Sequence, residues 1–356
     1  MTLSTEDILA LPKVVLHDHL DGGLRPATLI ELAGEIGHEL PSTDPAELAE
    51  IFATNANSGD LVRYLEAFAH TTAVMQTAAN LTRVAREAVL DLAADGVIYA
   101  ELRYAPEQHV SGGLSLQEVV EAVQAGIEEG VSAALEAGFA IRATAILDAM
   151  RHLDRSLEIA QLALDNRGTC CVGFDIAGPE LGFPAANHRE AFQLLREHHM
   201  PVTIHAGEAD GAASVGEAIG LGSARRVGHG VRIHEDIDGF GGEELVLGVI
   251  AQHALDMQIP LECCPTSNVQ TAAASSIADH PMHELRNLGF AVTVNTDNRL
   301  VSGVTMSSEF AALAEVGWTK EDLFEATLAA AWGAFLPYDE KADLAELVIE
   351  GYGIDL

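Results

Sequence analysis

His17 and His19 stand one residue apart in HDHLDG, inside the apolar run VVLHDHL. Side chains of a strand alternate between faces, so an i, i+2 pair sends both imidazoles to the same side, a geometry suited to two ligands of one metal ion. Such a pair gains weight only if other segments answer it, and three do. TIHAGE carries His205, VGHG carries His229 and VNTDN carries Asp297, each at the end of a short β-rich run. Three histidines (His17, His19 and His205) with the Asp297 carboxylate suit one Zn²⁺ with a position left for water, and water held there loses a proton near neutral pH. That is hydrolytic chemistry. Iron, manganese or cobalt would accept the same ligands. Glu208 follows His205 by three residues, where the strand turns toward a helix. It suits either a favourable charge at a helix N-terminus or a proton donor beside the metal. His229 is either a further ligand or a neighbour that orients and deprotonates the water.

Positioning these residues requires strands whose ends converge. Eight β-rich runs alternate with stretches of helical period: 14–20, 97–105, 141–149, 171–178, 201–208, 225–230, 260–268 and 290–298. This is the pattern of an α/β fold, a (β/α)₈ TIM barrel, in which polar residues at the C-terminal strand ends gather in one site. Residues 25–95, between the first two strands, are too many for one crossover helix and predict a helical insertion after strand 1. Within it Leu61, Tyr64, Leu65 and Phe68 share one helical face, which is either core packing or a lid over an apolar pocket. Ser115 with Glu118, and Thr319 with Asp322, predict capping boxes at two helix starts. With no internal repeat or linker, residues 1–356 read as a single barrel domain.

Composition bounds the rest. The 356 residues carry 19 Lys+Arg against 54 Asp+Glu, a net charge of −35, and a field of that sign repels nucleic acid. A hydrophobic fraction of 48% with 21% charged residues belongs to a folding globular chain. Cysteines occur as the adjacent pairs Cys170–Cys171 and Cys263–Cys264, a spacing suited to neither a disulfide framework nor a metal clip. They are expected reduced and buried. With neither a signal peptide nor a membrane-length apolar run in view, a cytoplasmic enzyme acting on a small molecule is the expectation. The remaining histidines fall on helices and loops, where packing or surface roles are expected.

At this point the motifs resemble those of the adenosine deaminase family of the amidohydrolase superfamily, in its bacterial branch. HDHLDG, TIHAGE, VGHG and VNTDN resemble its signature segments in their order, and DIAGPE and ECCPTSN fall between them, from about Lys13 to Ala331. The resemblance implies zinc-dependent hydrolytic deamination of adenosine, and of 2′-deoxyadenosine, to the inosine product and ammonia. It implies Zn²⁺ on His17, His19, His205 and Asp297, Glu208 donating a proton to purine N1, and His229 as the base beside the attacking water. Gly178 would meet the purine through its backbone N–H, Asp21 would accept from ribose hydroxyls, and Ser267 and Asn268 of PTSN would orient groups beside the metal. Related adenine deaminases carry HLEG where this chain has HLDG, which favours a nucleoside over free adenine. Animal members carry a second Asp after the metal-binding one. Here that position is Asn298, whose neutral amide would donate to purine N7. Another 6-aminopurine is the alternative substrate, and a barrel that binds purines without catalysis is the remote one.

Overall fold

Short, largely buried strands build the centre of the molecule. The fold is that of a computed structural model, which describes residues 3–57, 61–242 and 244–354, the side chains of 61–66 excepted. Eight parallel strands appear where the apolar runs predict them: β1 (Lys13–His19), β2 (Val97–Tyr104), β3 (Arg142–Met150), β4 (Cys171–Ala177), β5 (Thr203–Ala206), β6 (Arg226–His229), β7 (Leu261–Cys263) and β8 (Val292–Val294). They pair in chain order as two four-stranded sheets, β1 to β4 and β5 to β8. Short parallel bridges join the two, Phe174 with Val202 and Asp18 with Asp297. Across the second seam the His19 N–H donates to the Asp297 carbonyl at 2.7 Å, and the Asp297 N–H to the His17 carbonyl at 2.9 Å. The eight strands thus form the expected (β/α)₈ arrangement.

Two expected strands end early. PTSN leaves the sheet and forms the helix Pro265–Gln270, because Pro265 lacks an N–H for the ladder and its fixed φ suits a first helical turn. After β8, the Asn295 side chain takes over the backbone pairing. Its Oδ1 accepts from the N–H groups of Leu16 (2.8 Å) and His17 (3.1 Å), and its Nδ2 donates to the Cys263 carbonyl (3.2 Å). Asp297 therefore lies in a loop beyond β8 rather than at its last residue.

The stretch expected as an insertion of about 25–95 contains four helices with two different tasks. Pro26–Ile36, Pro45–Ala56 and Leu61–Val74 pack on one another, and the last two also pack on the helix Arg299–Ser302, with Leu61–Val74 on the turn Leu20–Gly22 that follows β1 as well. Ala78–Ala94 packs on β2 and on Leu116–Glu136 and belongs to the barrel's outer layer. Both predicted capping boxes form, at Ser115 with Glu118 and at Thr319 with Asp322. Of the four residues proposed for a lid, the side chains of Leu61, Tyr64 and Leu65 lie outside the described residues, and Phe68 is half-buried against the core. No helix among the described residues is long and apolar enough to cross a membrane.

Candidate active site

β1 delivers His17 and His19 as the period of two requires, both buried and facing the barrel interior. Their neighbour across the barrel is Gly228 on β6, where a Cβ would lie 3.0 Å from His205 Cα and 3.3 Å from the His17 ring. A side chain there would press on the His205 backbone and the His17 ring, which would have to shift by a few tenths of an ångström. His17 Nδ1 donates to Glu262 Oε2 at 3.0 Å, which fixes the tautomer and leaves Nε2 bare. That Nε2 is buried with no hydrogen-bond partner among the described residues, an arrangement that costs energy unless a cation takes the lone pair.

The spacing of the neighbouring atoms fits such a cation. His19 Nε2 lies 3.1 Å from His205 Nε2 and 3.5 Å from Asp297 Oδ1, which is 3.4 Å from His17 Nε2. Ligands at tetrahedral zinc distances stand about 3.3 Å apart. His229 belongs to the same cluster: His17, His205, His229 and Asp297 each offer an atom within 4.8 Å of the others. Five groups surround the spot, where the sequence suggested four with His229 left open.

Each of these groups is held from behind. His205 Nδ1 lies 2.8 Å from Asp175 Oδ2, and His19 Nδ1 lies 3.5 Å from Asp148 Oδ2. Ser267 Oγ donates to Asp297 Oδ2 at 2.5 Å. Arg103, wholly buried, donates from Nη1 to Asp175 at 2.7 Å and from Nη2 to Glu262 at 2.8 Å, so one guanidinium spans the supports of two histidines. Burial works to raise the Glu262 carboxyl, but Arg103, Arg226 and His17 hold it well below the usual range. The same contest, won by His17, His229 and His19, keeps Asp297 ionised. Burial and nearby Asp175 push Asp148 well above the usual carboxylate range.

Asn268 Nδ2 donates to His229 Nδ1 at 3.0 Å, while its Oδ1 accepts from the Cys264 N–H at 3.0 Å and faces His280 Nε2 at 3.2 Å. The Cys264 bond fixes the amide's orientation, so His229 accepts at Nδ1 and a neutral ring carries its proton on Nε2. That nitrogen faces Glu208 Oε2 at 3.6 Å. Glu208 is partly exposed, in the loop between β5 and the helix Ala212–Gly220.

The remaining expected residues have these surroundings. Asp21 is buried in the turn Leu20–Gly22, its Oδ1 3.9 Å from His19 Nδ1; burial, with Asp297 and Asp18 nearby, pushes its carboxyl up to about 7 against its own backbone hydrogen bonds. Gly178 has φ +95°, and a Cβ there would stand 3.0 Å from Met150 Cε and 3.4 Å from His152 Nδ1. Asn298 is buried and packs where a Cβ on Gly22 would collide with its Oδ1. The motifs do not single out Asp175, Glu262 and Arg103 as supports, although the sequence carries a signal for them. Each is a charge within an apolar strand buried on both faces, a placement that needs a partner. His280, expected in a packing or surface role, is buried and faces Asn268 Oδ1.

Fold and site together describe a barrel with a buried cluster of potential metal ligands at the C-terminal ends of its strands. The chain belongs to the adenosine deaminase family, whose pattern it matches over residues 12–351. An adenosine deaminase of Mycobacterium sp. (strain JLS) is 52% identical over 352 residues, covering 98% of this chain and 97% of that protein. Adenosine deaminase 1 of Streptomyces coelicolor is 51% identical, covering 99% of this chain and 89% of the relative. Among solved structures, the adenine deaminase from Arthrobacter aurescens superposes with a TM-score of 0.82 at 28% identity, covering 96% of this chain and 98% of the other.

Proposed function

We propose that this chain is a zinc-dependent enzyme that deaminates adenosine, and 2′-deoxyadenosine, hydrolytically to the inosine product and ammonia. The observation that carries the metal assignment is the 3.1–3.5 Å spacing of His17, His19, His205 and Asp297 atoms around a bare, buried His17 Nε2. These four residues would hold one Zn²⁺, which when bound lowers the pKa of a water toward neutrality. His229 orients the attacking water through Nε2. With Nδ1 accepting from Asn268, the ring enters the reaction as a donor, which refines the base role the resemblance implied. Glu208 protonates purine N1, making C6 electrophilic. Gly178 offers its N–H and Asn298 its amide to the purine, and Asp21 accepts from the ribose. The relatives that support adenosine are about half identical over nearly the whole chain, whereas the adenine deaminase shares only 28%. A net charge of −35 favours an uncharged nucleoside over nucleic acid. The free cysteines fit a reducing cytoplasm.

The test joins metal analysis to a panel of adenosine, 2′-deoxyadenosine, adenine and AMP, followed by ammonia release. One zinc per chain and turnover of adenosine are expected. Glu208→Gln should keep its metal and lose about 10²- to 10⁴-fold in kcat. Inert adenosine with active adenine would overturn the substrate.

A further inference from the structure

One buried carboxylate beside the pocket has no part in the chemistry just described. Glu180 stands two residues after Gly178 in the loop that follows β4, and it is 6% exposed. It accepts from the backbone N–H groups of four successive residues: Gly207 at 2.7 Å, Glu208 at 3.2 Å, Ala209 at 2.7 Å and Asp210 at 2.9 Å. Ser214 Oγ, in the first turn of the helix Ala212–Gly220, adds a fifth bond at 2.5 Å. Successive amides converging on one anion form a nest, and the helix N-terminus adds potential of the same sign. Burial works to raise the Glu180 carboxyl, yet Ser214 and the amides hold it below the usual range. Arg151 ties the same two segments from the other side, donating from Nη1 to the His205 carbonyl at 3.0 Å and from Nε to the Phe183 carbonyl at 2.9 Å.

The gripped segment belongs to neither strand nor helix. Its four amides have no ladder to satisfy them, so its path depends on the carboxylate it wraps. Glu208 is the second of the four. With its own amide and those on either side fixed, its side chain is directed into the pocket toward His229. The loop of Gly178 and the loop of Glu208 are thereby locked to one another, and both would meet the same purine.

We propose that Glu180 is the positioning residue for Glu208, setting the angle at which the proton donor meets purine N1. This rests on the reading of Glu208 as that donor. Glu180→Gln keeps the volume but turns an NH₂ group toward N–H donors, so part of the grip becomes repulsive. Displacing a reacting group by about 1 Å costs about 10²-fold. The metal-loaded Glu180→Gln enzyme should therefore lose about 10- to 10²-fold in kcat with KM and zinc affinity nearly unchanged. The Glu180→Gln/Glu208→Gln double variant should be no slower than Glu208→Gln alone, because the two act as a unit.

Two nucleoside probes separate positioning from general support. 1-Deazaadenosine, with C–H in place of N1, has nothing for Glu208 to protonate and should bind Glu180→Gln as it binds the native enzyme. A 6-hydroxy-1,6-dihydropurine nucleoside, which presents N1–H to Glu208, should lose affinity by the factor that kcat loses. Equal weakening of both probes, or additive losses in the double variant, overturns the proposal. If Glu180→Gln fails to fold, Ser214→Ala removes one donor and keeps the charge. It should shift the two probes apart in the same sense by a few-fold, and an unchanged ratio counts against the proposal. A fully active Glu208→Gln defeats the donor reading itself, whereas an inactive Glu208→Gln beside a native-like Glu180→Gln defeats only the positioning.

Discussion

The two halves of the barrel are built differently. β1 to β4 run for seven to nine residues each, whereas β5 to β8 run for only three or four. The long half presents His17 and His19 two residues apart on one continuous strand, although the pairing of β1 with β2 shifts register between Val15 and Asp18. The short half presents His205 from within the β5 ladder but its other two groups at or beyond a strand end: His229, the last residue of β6, has φ +60° and Asp297, past β8, has φ +56°, conformations that cost a non-glycine residue on the order of 1–2 kcal/mol each. Strand is surrendered where side chains must turn inward over the mouth. The structure that offsets this strain is the buried charge network beneath the site, and its main node, Glu262, sits on β7 in the short half.

Removing that node should give the largest effect. Glu262 Oε1 accepts from Arg226 Nε at 2.5 Å and from Thr203 Oγ1 at 3.0 Å, while Oε2 faces His17 and Arg103. Glu262→Ala leaves two wholly buried guanidinium groups short of an acceptor, a change that costs about 3–5 kcal/mol. Urea unfolding of the metal-free protein should show that loss, and zinc affinity should fall with it because His17 loses its orienting bond. Arg226 also donates from Nη2 to Glu101 on β2, and Arg103 to Asp175, so a loss under about 1 kcal/mol would mean that Asp175 and Glu101 suffice for the two arginines, and that the short half does not depend on this node.

The contrast also explains what the sequence reveals. The long half is legible because its signal is periodic: VVLHDHL gives β1 within a residue of its true ends and sets both histidines on one face. The short half is legible in residue type but not in boundary, since 260–268 and 290–298 continue as apolar or polar runs while the chain has already turned. Pro265 and Asn295 end those strands through a missing donor and a side chain that mimics backbone, local events a hydrophobic pattern does not record. Glu180 is less visible still. Its role exists only because a loop from β4 meets a loop from β5, and nothing in GPELG announces four amides 27 to 30 residues away.

A buried charge in the long half should behave differently from Glu262. Lys13, at the start of β1, donates from Nζ to the carbonyls of Ile8 (2.8 Å), Leu9 (3.3 Å) and Leu11 (2.9 Å), and burial, against the pull of Asp95, brings its ammonium down to about 8 from 10.5. Below pH 8 folded and unfolded chains both carry the charge, and the folded one bears the burden of burying it. Between about pH 8 and 10.5 the folded chain has lost the proton while the unfolded one retains it, so stability rises with pH across that window. Relative to Lys13→Met, the native protein should gain up to about 3 kcal/mol there, with zinc affinity the same in both. A flat difference in unfolding free energy from pH 8 to 10.5 would contradict the burial of this charge.

The smallest effect should be confined to the site. Ser267 stands in the helix that replaces the end of strand seven, and its hydroxyl holds the Asp297 oxygen that faces away from His17 and His19. Ser267→Ala removes an orienting bond without opening a large cavity, so unfolding free energy should move by no more than about 1 kcal/mol. Zinc affinity should fall by about 10- to 100-fold, because a ligating carboxylate that loses its support no longer waits in the binding geometry. Competition against a chromophoric chelator measures this directly. Lys13→Met alters stability alone, Ser267→Ala alters metal binding alone, and Glu262→Ala alters both. If Ser267→Ala bound zinc as the native chain does, the left-handed backbone at Asp297 would hold the carboxylate in place unaided. The strain in the short half would then suffice to orient its ligand, and the helix Pro265–Gln270 would be only a lid on the strand end.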